Sequence, residues 1–160
     1  MRAFTLVEIM VVVVIIGLLA AAGIPAFRRV TLRSKVTALE NDLRQFSSAI
    51  QASTLQNGRW PADGDPQVIP TELANVLPAN FIYRTPIGGV YKWNFSSNPT
   101  GAAEGVDAKA AIMVVSVTGN RINDDVELLT MLDKQMDDGN LQTGNIQTSS
   151  ANSLVYVIEK

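Results

Sequence analysis

The side chains that could do chemistry in this chain are few, and nearly all of them are acids. The 160 residues include neither histidine nor cysteine, which removes imidazole bases, thiolate nucleophiles, disulfides and the usual zinc sites. Carboxylates remain. Asp133, Asp137, Asp138 and Asn140 gather oxygen donors around one expected helix end, and hard cations such as calcium take that ligand type from turns. The spacing is not that of an EF-hand, and a helix ending in a polar turn accounts for the same residues. Asp63 with Asp65, and Asp124 with Asp125, read as loop and capping residues. Two carboxylates could hydrolyse a glycoside only if a cleft held them across the bond, and no sequence feature marks one. The chain therefore reads as a non-enzyme, with no cofactor expected other than calcium.

Glu8 is the other conspicuous acid, placed one residue before a long apolar run. Unpartnered in lipid it would be costly. Thr5-Leu6-Val7-Glu8 has capping-box spacing, so the Thr5 hydroxyl and the Glu8 carboxylate can satisfy backbone N–H groups at a helix start.

The elements that must carry these residues follow from the distribution of apolar side chains. From Ile9 to Phe27 there is no charge over about nineteen residues, or ~28 Å as a helix, enough to span a bilayer. A cleavable secretory core would be shorter, so this segment is expected to remain in the working protein. Arg28, Arg29, Arg33 and Lys35 follow it, and by side-chain count alone the positive-inside rule places the C-terminal region in the cytoplasm. That cluster could meet lipid headgroups or nucleic acid, or be boundary charge that contacts neighbouring subunits. With 13 basic and 15 acidic residues and a formal charge of -2, the chain has no broad basic surface for sequence-independent nucleic-acid binding.

Beyond Pro25 the helix is expected to continue in one-sided form. Leu32, Val36, Leu39, Leu43, Phe46 and Ile50 recur at spacings of four and three until Asn57-Gly58 and Pro61 stop it. Gly23 and Pro25 predict a kink. Further on, Thr71–Leu77 reads as a short helix, Tyr91–Phe95, Ala111–Val117 and Ser153–Ile158 as three strands, and Asp124–Met136 as a helix capped by Asp124, with Val126, Leu129, Leu132 and Met136 on its apolar side. The first two strands are expected to form a hairpin through a long loop around Asn98–Gly105. Trp60 and Trp93 could serve adhesion if exposed, although tryptophans in small domains more often fill the core. The fold class is α+β: a long N-terminal helical spine, hydrophobic in its first half, whose second half packs on a small antiparallel sheet.

Ala3-Phe4-Thr5-Leu6-Val7-Glu8, followed by the apolar run with Gly17 and Pro25, closely resembles the N-terminus of type IV pilins and of type II secretion pseudopilins. Asn57-Gly58-Arg59-Trp60-Pro61 is similar to the turn that ends the spine helix of pseudopilins, with Ser53 where a tyrosine is frequent. The resemblance implies residues 1–3 as a short leader, with Ala3 where the family most often has glycine. A prepilin peptidase would cut between Ala3 and Phe4, and the new amine would be methylated. Residues 4–27 would be the membrane and filament-core helix, 28–57 the amphipathic half of the spine, and 58–160 the globular region with variable loops. Phe4, Glu8, Gly17 and Pro25 would act in assembly. Glu8 would pair with the Phe4 amine of a neighbouring subunit, and the stretch between Gly17 and Pro25 could unwind. The implied partners are the membrane, inner-membrane assembly machinery, and copies of the chain or related pilins. The globular region would lie outside the cytoplasmic membrane, in a cell-surface or periplasmic filament. In major pseudopilins a C-terminal calcium loop often accompanies an aspartate-proline-tryptophan-glycine pattern, of which Thr85-Pro86-Ile87-Gly88 keeps the proline and the glycine. The alternative from another class is a singly anchored extracytoplasmic binding module that does not polymerise.

Overall fold

The computed structural model of the chain describes residues 5–97 and 103–160. The chain falls into two units, one reaching from the N-terminus to Ser34 and the other spanning Lys35–Lys160. Helix α1, Leu6–Asn57, runs through the first and enters the second. It continues without interruption across Gly17, Gly23 and Pro25, so the stretch expected to be able to unwind is helical in the single chain.

In the first unit, each large apolar side chain from Leu6 to Leu19 is at least 51 % exposed. None of the apolar window is buried within the chain. A helix apolar on all sides with nothing packed on it needs lipid or other helices around it.

The second unit is built on the one-sided stretch of α1. Val36, Leu39, Leu43, Phe46 and Ile50 are fully buried, as their alternating spacing requires. Phe46 meets the edges of Phe81 and Tyr91, with ring centroids 5.2 and 4.9 Å away, and Phe81 stacks on Tyr91 at 5.8 Å. Asp42, one turn from Phe46, accepts from the Tyr91 hydroxyl at 2.6 Å and from Asn80 Nδ2 at 2.8 Å. That carboxylate ties the helix to two separate segments of the globular region; burial first, and then the bond to Asp42 and its charge, raise the Tyr91 phenol above its ordinary range.

Four strands form the antiparallel sheet: β1 (Val90–Phe95), β2 (Ala110–Val115), β3 (Ile146–Thr148) and β4 (Leu154–Glu159), in the order β1-β2-β4-β3. Tyr91 and Trp93 pair with Val114 and Ile112, and this face carries the contact with Phe46. Met113, Ala111, Val155 and Val157 form a second cluster with Ala103, Val106 and Ala108. Being covered on both faces, β2 is buried at every position, which is why it reads as an unbroken apolar run and not an alternating one.

Both outer edges of the sheet are occupied by loops. Along β1, Gly64 N–H donates to Trp93 O, Gln67 N–H to Tyr91 O, and Phe95 N–H to Asp63 Oδ1. Along β3, Ile146 N–H donates to Asp137 Oδ2 and Thr148 N–H to Leu141 O. Gly88 and Gly89 start β1 with φ of 83° and 73°. A Cβ on Gly89 would stand 2.7 Å from Val115 O and 2.6 Å from Ile122 Cγ1. The Asn120 amide takes both backbone groups of Gly89, N–H to Oδ1 at 3.1 Å and Nδ2 to O at 2.9 Å, holding that chain where no neighbouring strand does.

Several local expectations are corrected. The sheet has four strands, not three; β3 is only Ile-Gln-Thr, and its pairing comes from β4, not from any pattern of its own. Thr71–Leu77 is a single 3-10 turn, Thr71–Leu73, followed by bonded turns, with Pro70 before the segment and Pro78 after it; a second 3-10 turn follows at Ala79–Ile82. Helix α2, Val126–Met136, is capped by Asp125 and not Asp124, with Asp125 Oδ1 accepting from Glu127 N–H at 3.1 Å. Its inward residues are Leu128, Leu129, Leu132 and Asp133, while Val126 is exposed. Part of the expected Asn98–Gly105 loop lies outside the described residues.

Candidate functional site

Two places gather functional side chains. The first is the start of α1. Thr5 N–H donates to Glu8 Oε2 at 2.9 Å, the Thr5 hydroxyl donates to the same oxygen at 2.8 Å, and Glu8 N–H donates to Thr5 Oγ1 at 3.3 Å. This is the reciprocal arrangement expected from the spacing. It occupies Oε2, and both residues remain exposed. Ala3 and Phe4 lie outside the described residues. Gly17 sits on the open helix surface, where an added Cβ would meet nothing within 4 Å. The arginines at 28, 29 and 33 are exposed on the same helix.

The second place is the end of α2. Asp133, Asp137 and Asp138 each offer an oxygen, and these oxygens lie within 4.8 Å of one another. They differ in environment. Asp138 is exposed, with Oδ1 accepting from Asn140 N–H at 2.8 Å and Oδ2 from the Thr143 hydroxyl at 2.7 Å. Those bonds hold its carboxyl below the usual range, with a smaller contribution from the Lys160 charge. Asp137 accepts from the backbone N–H groups of Asn145 and Ile146. Asp133 is fully buried, and neither of its oxygens has a hydrogen-bond partner among the described residues. Burial, then the charges of Asp138 and Asp137, push it up to about 6. Buried polar atoms are almost always satisfied, so this carboxylate, with two more beside it, fits a divalent cation held by oxygen ligands. Asn140 is not part of the trio; its Oδ1 accepts from Gln142 N–H at 3.2 Å and shapes the loop.

Sequence reasoning missed a third cluster. Trp93 is buried and donates from Nε1 to Pro61 O at 3.2 Å. Trp60 stacks on it, with centroids 5.9 Å apart and planes 27° from parallel. Trp60 Nε1 donates to Glu159 Oε2 at 2.9 Å, and Glu159 is also paired with Lys109. The Lys109 bond leads the causes that hold the Glu159 carboxyl below its ordinary range. A contact between residues 99 apart in sequence has no local signal; the paired tryptophans were the only hint.

The comparisons with known proteins bear on the first place. Residues 1–24 match the model of the prokaryotic N-terminal methylation motif. The chain is 30 % identical to Fimbrial protein Q of Moraxella bovis over 125 residues, which cover 78 % of this chain and 73 % of that protein. It is 25 % identical to a fimbrial protein of Neisseria meningitidis over 126 residues, 79 % of this chain and 61 % of the other. It is 35 % identical to the type II secretion system core protein G of Pseudomonas aeruginosa over 80 residues, 49 % of this chain and 56 % of that one. Against the last two, the match spans less than two thirds of the relative's length. The chain belongs to the type IV pilin and type II secretion pseudopilin family.

Proposed function

We propose that the chain is a structural subunit that polymerises through its N-terminal helix into a type IV pilus-like filament, on the cell surface or in the periplasm. The observation that carries this reading is the apolar half of α1, exposed on all sides from Leu6 to Leu19. Before assembly the inner membrane covers that surface, and after assembly the same helices of neighbouring subunits do. Prepilin peptidase removes residues 1–3, the Phe4 amine is methylated, and inner-membrane machinery draws the subunit from the bilayer. Glu8 then exchanges its Thr5 bonds for the Phe4 amine of a neighbour, a charge pair that sets register. Gly17 leaves room for close helix approach, and Pro25 marks where α1 can yield. The role is structural and not catalytic, and the relatives' names support that.

Intact-mass measurement on sheared filaments is the first test, with a chain beginning at Phe4 and carrying one methyl group as the expected result. Glu8→Ala should abolish filament incorporation and leave membrane anchoring intact. A chain that keeps residues 1–3 and is absent from filaments would instead favour the anchored, non-polymerising module.

We also propose that Asp133, Asp137 and Asp138 hold a calcium ion, a reading supported by the unpartnered oxygens of Asp133. The bound cation would neutralise three clustered acids and fasten the end of α2 to the start of β3. Calorimetric titration of the full chain with calcium should give one site, lost in Asp133→Asn; no binding in the unsubstituted chain would end this proposal.

A further inference from the structure

The apolar half of α1 runs into a stretch of cations with no acid beside it. Residues 28–35 hold four basic side chains, and from Ile9 to Leu39 there is no acid. The two acids that bracket this stretch are engaged elsewhere, Glu8 with Thr5 and Glu40 with Arg44 at 3.0 Å. Arg28, Arg29 and Arg33 are exposed. Arg29 and Arg33 stand one helical turn apart, which puts their Cβ atoms about 6 Å from each other on one side of the helix. Like charges at that spacing destabilise a helix, and one anion held between them turns the repulsion into two attractions. Guanidinium groups suit phosphate in particular, because their N–H donors meet its oxygens in pairs.

We propose that Arg29 and Arg33 grip the phosphate of an anionic phospholipid headgroup, with Arg28 adding to the local charge. The inference rests on the proposed membrane role of the apolar half of α1, and height along that helix carries it further. Arg29 lies ~3 Å and Arg33 ~9 Å beyond Phe27, the last residue of the apolar run. The headgroup layer on each side of a bilayer is about 5–8 Å deep, so the two positions bracket the phosphates. A zwitterionic lipid carries its own ammonium beside the phosphate, which competes with the arginines; phosphatidylglycerol does not. Charge also argues against nucleic acid as the occupant. Residues 36–160 carry 8 basic and 14 acidic side chains, a background that repels a long polyanion, whereas a lipid headgroup meets only what stands next to the bilayer. A slide of α1 by one turn would take one arginine out of the layer, so the grip also fixes the depth of the anchored helix.

For the test, the full chain is inserted into nanodiscs of equimolar phosphatidylglycerol and phosphatidylcholine with matched acyl chains, and the lipids it retains are identified by native mass spectrometry. Phosphatidylglycerol should be retained about fivefold over phosphatidylcholine. The double variant Arg29→Gln, Arg33→Gln should bring the two lipids close to parity. Arg84→Gln, Arg121→Gln, which removes as much charge from exposed positions of the second unit, should keep the preference. Inorganic phosphate in excess should leave it intact, because the bilayer holds the headgroup in place. Insertion is checked separately, by resistance to alkaline extraction from vesicles. An inserted chain that retains both lipids equally, or that loses its preference alike in both double variants, overturns this proposal alone. So does a preference erased by inorganic phosphate or by a short oligonucleotide, which would assign the arginines to free phosphate or to nucleic acid. A chain that does not insert overturns it together with the membrane reading.

Discussion

Asp133 is a buried carboxylate crowded by the oxygens of Asp137 and Asp138, and its proton reports that crowding. The folded chain binds that proton more tightly than the unfolded chain, about 6 against 3.8. The stabilisation is full below pH 3.8 and is lost as pH rises through 6. In chelator, the melting temperature should therefore fall between pH 5 and pH 7, and Asp133→Asn should flatten that slope and raise the midpoint at pH 7 by roughly 2–6 °C. Calcium should raise the midpoint of the unsubstituted chain more at pH 7 than at pH 5, because at the lower pH it must displace the proton. Glu159 acts with the opposite sign. Its carboxyl is lowered from 4.5, mainly by Lys109, so its contribution is present above 4.5 and is lost as pH falls below that value. Glu159→Gln should lower the midpoint above pH 4.5, where that contribution is present, and flatten its dependence on pH below that value.

At the scale of elements, the start of β1 is the place least tolerant of change. Gly89 combines a left-handed φ with a backbone oxygen 2.7 Å from any Cβ. Gly89→Ala should cost about 2–4 kcal/mol in urea unfolding followed by tryptophan fluorescence. The elements that could be read from sequence are those whose pattern is set by a single partner. The stripe from Val36 to Ile50 meets one surface and keeps a helical period. The box of Thr5 and Glu8 is closed within one turn, so its spacing is its whole signal. β3 was illegible because three residues cannot show a period, and because its edge is supplied by Asp137 and Leu141 from the preceding loop. The cap of α2 slipped by one residue because Asp124 and Asp125 are chemically alike and only the chain's exit angle separates them. The acidic trio was half legible: the acids lie close in sequence, but their spacing does not show that the Asn140 side chain accepts from Gln142 N–H and stays out of the trio.

At the scale of the whole molecule, the chain carries one surface that it cannot satisfy alone. Val13 lies in the middle of the apolar run and is 62 % exposed. Val13→Lys would place an ammonium where either lipid or packed helices must receive it, at a cost of about 3 kcal/mol in a bilayer. Cell fractionation should find less of this variant in the membrane and none in sheared filaments, while the isolated chain keeps the far-ultraviolet spectrum of the parent.

Both borders of the sheet are already in use, β1 by the Asp63–Gln67 loop and β3 by Asp137 and Leu141. Among the described residues, neither border of the sheet is left as a free strand on which another chain could add in the manner of amyloid. In the proposed filament, association would then fall to the helix that water rejects, while the β-rich part would meet its neighbours with edges that are already bonded.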